Sequence, residues 1–275
     1  MAGQQQIRQR VTNTIIKALE AGVSPWHQPW SPARNTGFAA NVVTERRYSG
    51  VNPLLLQLAA LERGFQSRWW GSFEDWSSLG GRVRGWGTMI VLRQRQTTRR
   101  LLCKQVVFNA DQVEGVPQCQ VQPPAVEVQH DFGPADRIIA ATAADIRENE
   151  GDKAWYHYPP EDYIELPSKV DFVIGMGGVK AWYDTVLHEL CHWAEPRLAW
   201  NGGYLLNELR AEMGAGFLSA AIGIPSYGPT RHHFNLVDSW VDALRQDHRT
   251  IFRVSSAASA AVAFILSFSR KPVSR

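Results

Sequence analysis

Apolar residues return every three or four positions from Gln4 to Ala21. Ile7, Val11, Ile15 and Leu19 form one stripe, and Gly22 follows as a stop, which predicts an amphipathic helix. Pro53 to Arg63 repeats the pattern through Leu54, Leu55, Leu58 and Leu61. Thr88 to Leu92 then reads as a strand, Arg93-Gln-Arg95-Gln-Thr-Thr-Arg99-Arg100 as a hairpin tip, and Gln105 to Asn109 as part of the return strand. Beyond this the pattern predicts a helix over Arg137 to Arg147 and short strands over Tyr163 to Leu166 and Val170 to Ile174. Helices follow over Thr185 to Trp193 and Gly203 to Ile224. Trp240, Leu244, Phe252 and an Ala257 to Phe268 helix supply further core positions. The expected fold class is α+β in two domains: a small mixed α/β domain over 1–130 and a second domain over 131–275. The seam lies at about 118–135, where Pro123-Pro124 and a polar run break the periodicity.

One apolar helix carries polar residues at telling positions. In Thr185-Val-Leu-His188-Glu189-Leu-Cys-His192-Trp193 the two histidines are four apart and share a face, while Glu189 lies about 100° round the helix. This is the His-Glu-x-x-His pattern of zinc peptidases. The ion would polarise a carbonyl and acidify a water, and the neighbouring carboxylate would take the proton of that water as it attacks. Leu187, Leu190, Cys191 and Trp193 surround the histidines with apolar side chains, where unpaired imidazole and carboxylate would be costly. Two polar residues on the wet face of a helix are the simpler alternative, and that apolar context argues against it.

A catalytic zinc usually takes three protein ligands. The next helix offers Glu208 and Glu212, four apart, and Leu205, Leu209, Met213, Gly216 and Ala220 mark its apolar centre. Glu212 falls nearer that centre, so it is the expected third ligand, with Glu208 orienting a histidine from the outer shell; the reverse assignment is the alternative.

Charge is shared unevenly. Through His130 there are 15 Lys and Arg against 8 Asp and Glu, and from Asp131 onward 14 against 18, so a basic half precedes an acidic one within a net charge of +3. The basic half calls for an acidic partner. Arg46-Arg47-Tyr48-Ser-Gly50-Val-Asn52 joins cations, a ring and an amide in one loop, and Trp69, Trp70, Arg82 and Arg84 interleave aromatics with cations. That composition suits single-stranded nucleic acid, or equally a solvated arginine-rich hairpin over a tryptophan-rich core. Ser24-Pro-Trp26-His-Gln-Pro-Trp30 serves as a cap over the core or as a stacking loop.

The N-terminus shows no cationic segment followed by an apolar core, and Ala257 to Phe268 reads as too short to span a bilayer. Three cysteines, Cys103, Cys119 and Cys191, make no even framework, so a reducing, cytoplasmic setting without a membrane is expected.

Taken in series, Leu19-Glu20-Ala-Gly, Pro25-Trp26, Pro29-Trp30, Tyr48-Ser-Gly50-Val-Asn52, Gly80-Gly81, Val83-Arg84-Gly85 and Val107-Phe108-Asn109 with Gln112-Val113-Glu114 resemble a known family. They are similar to successive blocks of the N-terminal domain of ArdC-type antirestriction proteins, a domain shared with plasmid-encoded primase-type proteins. Ala154-Trp-Tyr156, Pro159, Asp162-Tyr-Ile164-Glu-Leu166-Pro167, His188 to Trp193, Glu208 to Phe217 and Trp240, Leu244, Ile251-Phe252 resemble that family's zincin-like metallopeptidase domain. The resemblance implies an N-terminal domain that binds single-stranded DNA, a peptidase-like C-terminal domain, and carriage by a mobile element whose incoming DNA it protects from restriction. Two departures stand out. Asn207 occupies a position that is commonly glutamate in the family, and the Tyr48 to Asn52 block lacks the family's internal cation, which Arg46 or Arg47 would supply from upstream.

Two functional classes follow. In one, the protein is a DNA-bound zinc endopeptidase with Glu189 as base and His188, His192 and Glu212 on Zn2+, acting on an unidentified protein substrate. In the other it is a non-catalytic single-stranded-DNA-binding protector whose metal domain is structural or docks partners. For the peptidase, Tyr163 to Leu166 is the expected substrate edge or a completing sheet strand. Tyr204, Tyr227, His232 and His233 are the candidates for stabilising the oxyanion.

Overall fold

The computed structural model describes residues 2–27, 35–96, 99–122, 132–224 and 231–269. Contacts divide the chain into two compact units. One comprises Met1–Trp26, Ser31–Val128 and Val241–Arg253; the other comprises His27–Trp30, Gln129–Trp240 and Val254–Arg275.

The first unit opens with α1 (Ala2–Glu20), whose predicted stripe of Ile7, Val11, Ile15 and Leu19 is buried. It continues with α2 (Asn52–Arg63) and α3 (Phe73–Ser78). Helix α2 starts with Pro53 in its first turn, where a missing N–H costs nothing, and stops at Gly64. Helix α3 is held by a reciprocal cap: Ser72 Oγ accepts from Asp75 N, and Asp75 Oδ2 accepts from Ser72 N. The strands are β1 (Ala40–Asn41), β2 (Trp69–Gly71), β3 (Arg82–Val83), β4 (Thr88–Gln96), β5 (Arg99–Asn109) and β6 (Val113–Glu114). They form a sheet of order β1-β2-β5-β4 and a separate β3-β6 pair. The predicted hairpin is β4–β5, in register from Thr88↔Val107 to Gln96↔Arg99, so the strands run through most of the expected Arg93–Arg100 tip, whose residues 97–98 lie outside the described residues. Leu56, Trp70, Ile90 and Val107 form one core cluster, and Trp76, Ala110, Val113 and Val116 a second. Burying aliphatic and aromatic side chains of this size contributes roughly 1.5–3 kcal/mol each. The Val241–Arg253 segment joins this unit through Thr12 Oγ1, which donates to His248 O at 3.0 Å, and through Arg245 paired with Glu20.

The second unit holds α4 (Gly133–Thr142), β7 (Asp145–Asn149), β8 (Trp155–His157), β9 (Tyr163–Pro167), α5 (Lys169–Gly175), α6 (Gly178–Arg197) and α7 (Tyr204–Ile222). Most of α8 (Arg231–Gln246) and α9 (Thr250–Phe268) also belong to it. Its sheet has the order β7-β9-β8, with β7 parallel and β8 antiparallel to β9.

Four expectations change here. The helix predicted over Arg137 to Arg147 ends at Thr142, because Ala143 turns left-handed at φ 51° and Asp145–Asn149 then pairs with β9. Val170 to Ile174, expected as a strand, belongs to α5: the Ser168–Asp171 capping box starts a helix and overrides the β-branched residues. Strand β9 is paired on both sides, so Tyr163–Leu166 offers no free edge; the outer strands are β7 and β8. Helix α9 also extends beyond the Ala257–Phe268 stretch, and at 19 residues it is long and apolar enough to cross a membrane by length and composition. Ala258, Ala261 and Ile265 on it are nevertheless fully buried in the protein.

Candidate metal centre

Helices α6 and α7 build the site, and their close approach makes it possible. A Cβ added to Gly214 on α7 would stand 2.6 Å from Cys191 Sγ on α6, so only glycine allows the helices to meet at this spacing. Nearly every residue of α6 from Val186 to Glu195 is buried, as is α7 from Leu209 to Ser219. Cys191 belongs to this packing rather than to chemistry: its thiol is fully buried, and burial pushes its pKa up to about 12.

His188 and His192 face one another across a single helical turn, with their Nε2 atoms 3.1 Å apart. Glu208 reaches both from α7: its Oε2 lies 3.5 Å from His188 Nε2 and its Oε1 3.6 Å from His192 Nε2. A four-coordinate metal with bonds of about 2.0–2.1 Å spaces its donors about 3.3–3.4 Å apart, so these separations match the edges of such a coordination sphere. Donor atoms of His188, His192 and Glu208 all lie within 4.8 Å of one another, and two imidazole nitrogens with a carboxylate oxygen suit a divalent transition metal.

Glu212 takes the other side. Its Oε1 is 3.9 Å from His188 Nδ1 and its Oε2 3.5 Å from His27 Nε2, away from the Nε2 atoms. Among the described residues this groups Glu208 rather than Glu212 with the two histidines, the alternative assignment that the sequence left open. Nearness to an apolar centre could not discriminate between the two glutamates, because α7 is buried around its whole circumference from Leu209 to Ser219. The electrostatics favour a cation. Burial depresses the His188 pKa, but Glu208, Glu212 and Glu189 outweigh it and raise the value to about 9. Glu189 is 7% exposed, directly after His188 on α6.

One neighbour of the site was not foreseen. Glu195 Oε1 lies 3.1 Å from His192 Nδ1, although Glu195 is fully buried. Its signal was present as a glutamate three residues after a histidine, on the same helical face. Among the oxyanion candidates, Tyr204 is exposed at the start of α7; burial and Glu208 raise its pKa. Tyr227 and the side chains of His232 and His233 lie outside the described residues.

The expected nucleic-acid residues divide into two groups. Trp70 is buried, and Asn52 spends its amide on the backbone of Val91, donating to its carbonyl at 2.9 Å and accepting from its N–H at 2.8 Å. Both serve the fold. Tyr48 is half-buried, and burial lifts its pKa to about 12. Trp69 is half-buried beneath Arg68 and donates from Nε1 to Asn35 Oδ1. Arg46, Arg47, Arg82 and Arg84 are exposed, and Arg84 pairs with Glu114 at 3.0 Å. Trp86 emerges instead: it is 88% exposed, with its carbonyl held by Arg63 and Gln112. Trp30 of the proline-rich loop lies outside the described residues, and Trp26 is buried.

Two family models account for most of the chain. Residues 5–113 match the N-terminal domain of anti-restriction factor ArdC, and residues 133–259 match a zincin-like metallopeptidase. A helix pair that brings two histidines and a carboxylate together, within a segment matching a zincin-like metallopeptidase, gives the class of protein. Crystal structures of the antirestriction ArdC protein from plasmid R388 share the fold along nearly the whole chain. The metal-free form has 29% identity and a TM-score of 0.74, covering 96% of this chain and 97% of that one. The Mn(II)-bound form has 30% identity and a TM-score of 0.76, covering 95% and 97%. An uncharacterized protein, y4eC, of Sinorhizobium fredii is 30% identical over 92% of this chain and 89% of its own length. DNA primase TraC of Escherichia coli is 30% identical over 96% of this chain, which spans only 27% of that relative. The chain belongs to the ArdC family of antirestriction proteins.

Proposed function

We propose that the chain protects incoming DNA by binding it as a single strand through the first unit and hydrolysing peptide bonds with the second. The observation that carries the peptidase reading is the convergence of His188, His192 and Glu208, with Glu189 beside them on α6. His188, His192 and Glu208 would hold the metal, and Glu212 would steady His188 from its Nδ1 side. Zinc is the metal proposed; the R388 relative was crystallised with Mn(II), which a nitrogen and carboxylate donor set also accepts. When bound, the ion supplies Lewis acidity to the substrate carbonyl and to the attacking water. Glu189 then takes a proton from that water and returns it to the departing amine. A structural metal site has no use for such a base, which favours catalysis over the non-catalytic protector.

For DNA, Arg46, Arg47, Arg82 and Arg84 would meet phosphates. Trp86 and the exposed part of Trp69 would meet bases. The deciding experiment is degradation of a denatured protein mixture by zinc-loaded chain, with and without single-stranded oligonucleotide, beside Glu189→Gln. Cleavage by the native chain alone supports the reading. No cleavage under either condition, with DNA binding intact, leaves the non-catalytic protector.

A further inference from the structure

His192 is backed by a buried polar chain that extends to the protein surface. Glu195 is fully buried, yet both of its carboxylate oxygens meet polar groups. Its Oε1 lies 3.1 Å from His192 Nδ1 and 3.5 Å from Arg210 Nη1, and its Oε2 accepts from Tyr158 Oη at 2.5 Å. Arg210 is also fully buried; Nη1 donates to Cys191 O at 2.7 Å, while Nε and Nη2 find no hydrogen-bond partner among the described residues. Tyr158 follows strand β8, and the residue is 44% exposed. Its hydroxyl also meets the Asn207 side chain, one residue before Glu208. Burial, followed by Glu195, raises the Tyr158 pKa and keeps the hydroxyl a donor.

Such an arrangement is an expensive way to join helices. A buried ion pair with unsatisfied guanidinium N–H groups is commonly no more stabilising than apolar residues of the same volume. What it provides is direction. A carboxylate at Nδ1 makes that nitrogen the donor and leaves the lone pair of the imidazole on Nε2, which is the atom facing His188 and Glu208.

We propose that Glu195 is a positioning residue for His192, held by Arg210 and Tyr158, and that this relay sets the affinity of the metal centre. Tyr158 is its surface-facing end, so the segment after β8 governs how tightly the metal is held. The inference rests on the metal-centre reading above.

The test is the zinc affinity of the full chain, measured by competition with a chromophoric chelator, for the native protein, Tyr158→Phe and Glu195→Gln. The unfolding temperature of each metal-free chain and the visible spectrum of its cobalt(II) form are recorded alongside. Glu195→Gln should weaken zinc roughly 10- to 100-fold and shift the cobalt bands, and Tyr158→Phe should weaken it about ten-fold with little change in metal-free stability. A purely structural role would lower the unfolding temperature and leave affinity and spectrum unchanged in the folded chain, which overturns the relay. If Glu195→Gln does not fold, Tyr158→Phe decides alone, because it removes only one hydroxyl from a partly exposed residue. A native chain that takes up no metal overturns the metal centre and the relay together. Native uptake with unchanged affinity in the variants overturns the relay alone.

Discussion

The two units handle polar chemistry in opposite ways. In the first, cations and the most exposed indole sit on the surface, while buried polar groups such as Asn52 serve the backbone. In the second, histidines, carboxylates and an arginine are drawn inside, between α6 and α7. Exposed charges act through summed fields that salt screens, so each contributes modestly and substitution is graded. Buried groups act through fixed geometry, so the loss of one is felt at once. A surface for a polymer and a centre for one ion are the functions that these two arrangements suit.

The largest expected effect comes from the centre. Glu189→Gln should reduce peptide cleavage about 10²- to 10⁴-fold while zinc content and oligonucleotide affinity stay native, measured by rate, elemental analysis and anisotropy. Full cleavage by this variant would remove Glu189 as the base.

The glutamate pair gives the next contrast. Glu208→Ala should abolish tight zinc uptake, whereas Glu212→Ala should weaken it roughly 10- to 100-fold. Chelator competition separates the two, and the opposite ranking would restore Glu212 as the ligand.

Tryptophans sharpen the comparison between surface and core. Trp70→Ala should cost about 3–5 kcal/mol of stability in denaturant titration. Trp86→Ala should leave stability native and cost about 1–3 kcal/mol in affinity for a single-stranded oligonucleotide. If Trp86→Ala binds normally, the exposed indole is not a stacking platform.

Replacing Arg46 and Arg47 together should have the smallest effect. The slope of log affinity against log salt should fall by about 1.4 if each meets one phosphate of a single strand. An unchanged slope would exclude that loop from the surface.

Much of the fold was legible because it is local. The stripe of α1, the β4–β5 hairpin and the helices carrying the histidines and glutamates all follow from periodicity, which depends only on neighbours along the chain. Prediction failed where another signal competed. β-branched residues in α5 read as a strand until the Ser168–Asp171 cap is weighed, and the helix expected to reach Arg147 gives way to a strand that needs β9 to exist.

At the site, sequence alone determined that His188 and His192 share a face with Glu189 beside them, since a four-residue step on a helix leaves no other arrangement. It could not determine which glutamate of α7 meets them. That depends on the depth and rotation at which α7 lies against α6, set in part by the contact of Gly214 with Cys191. Nor could it bring Glu195, Arg210 and Tyr158 together behind His192, because two helices and the segment after β8 contribute one residue each. Periodicity says which way a side chain points from its own element; only packing between elements decides what it meets.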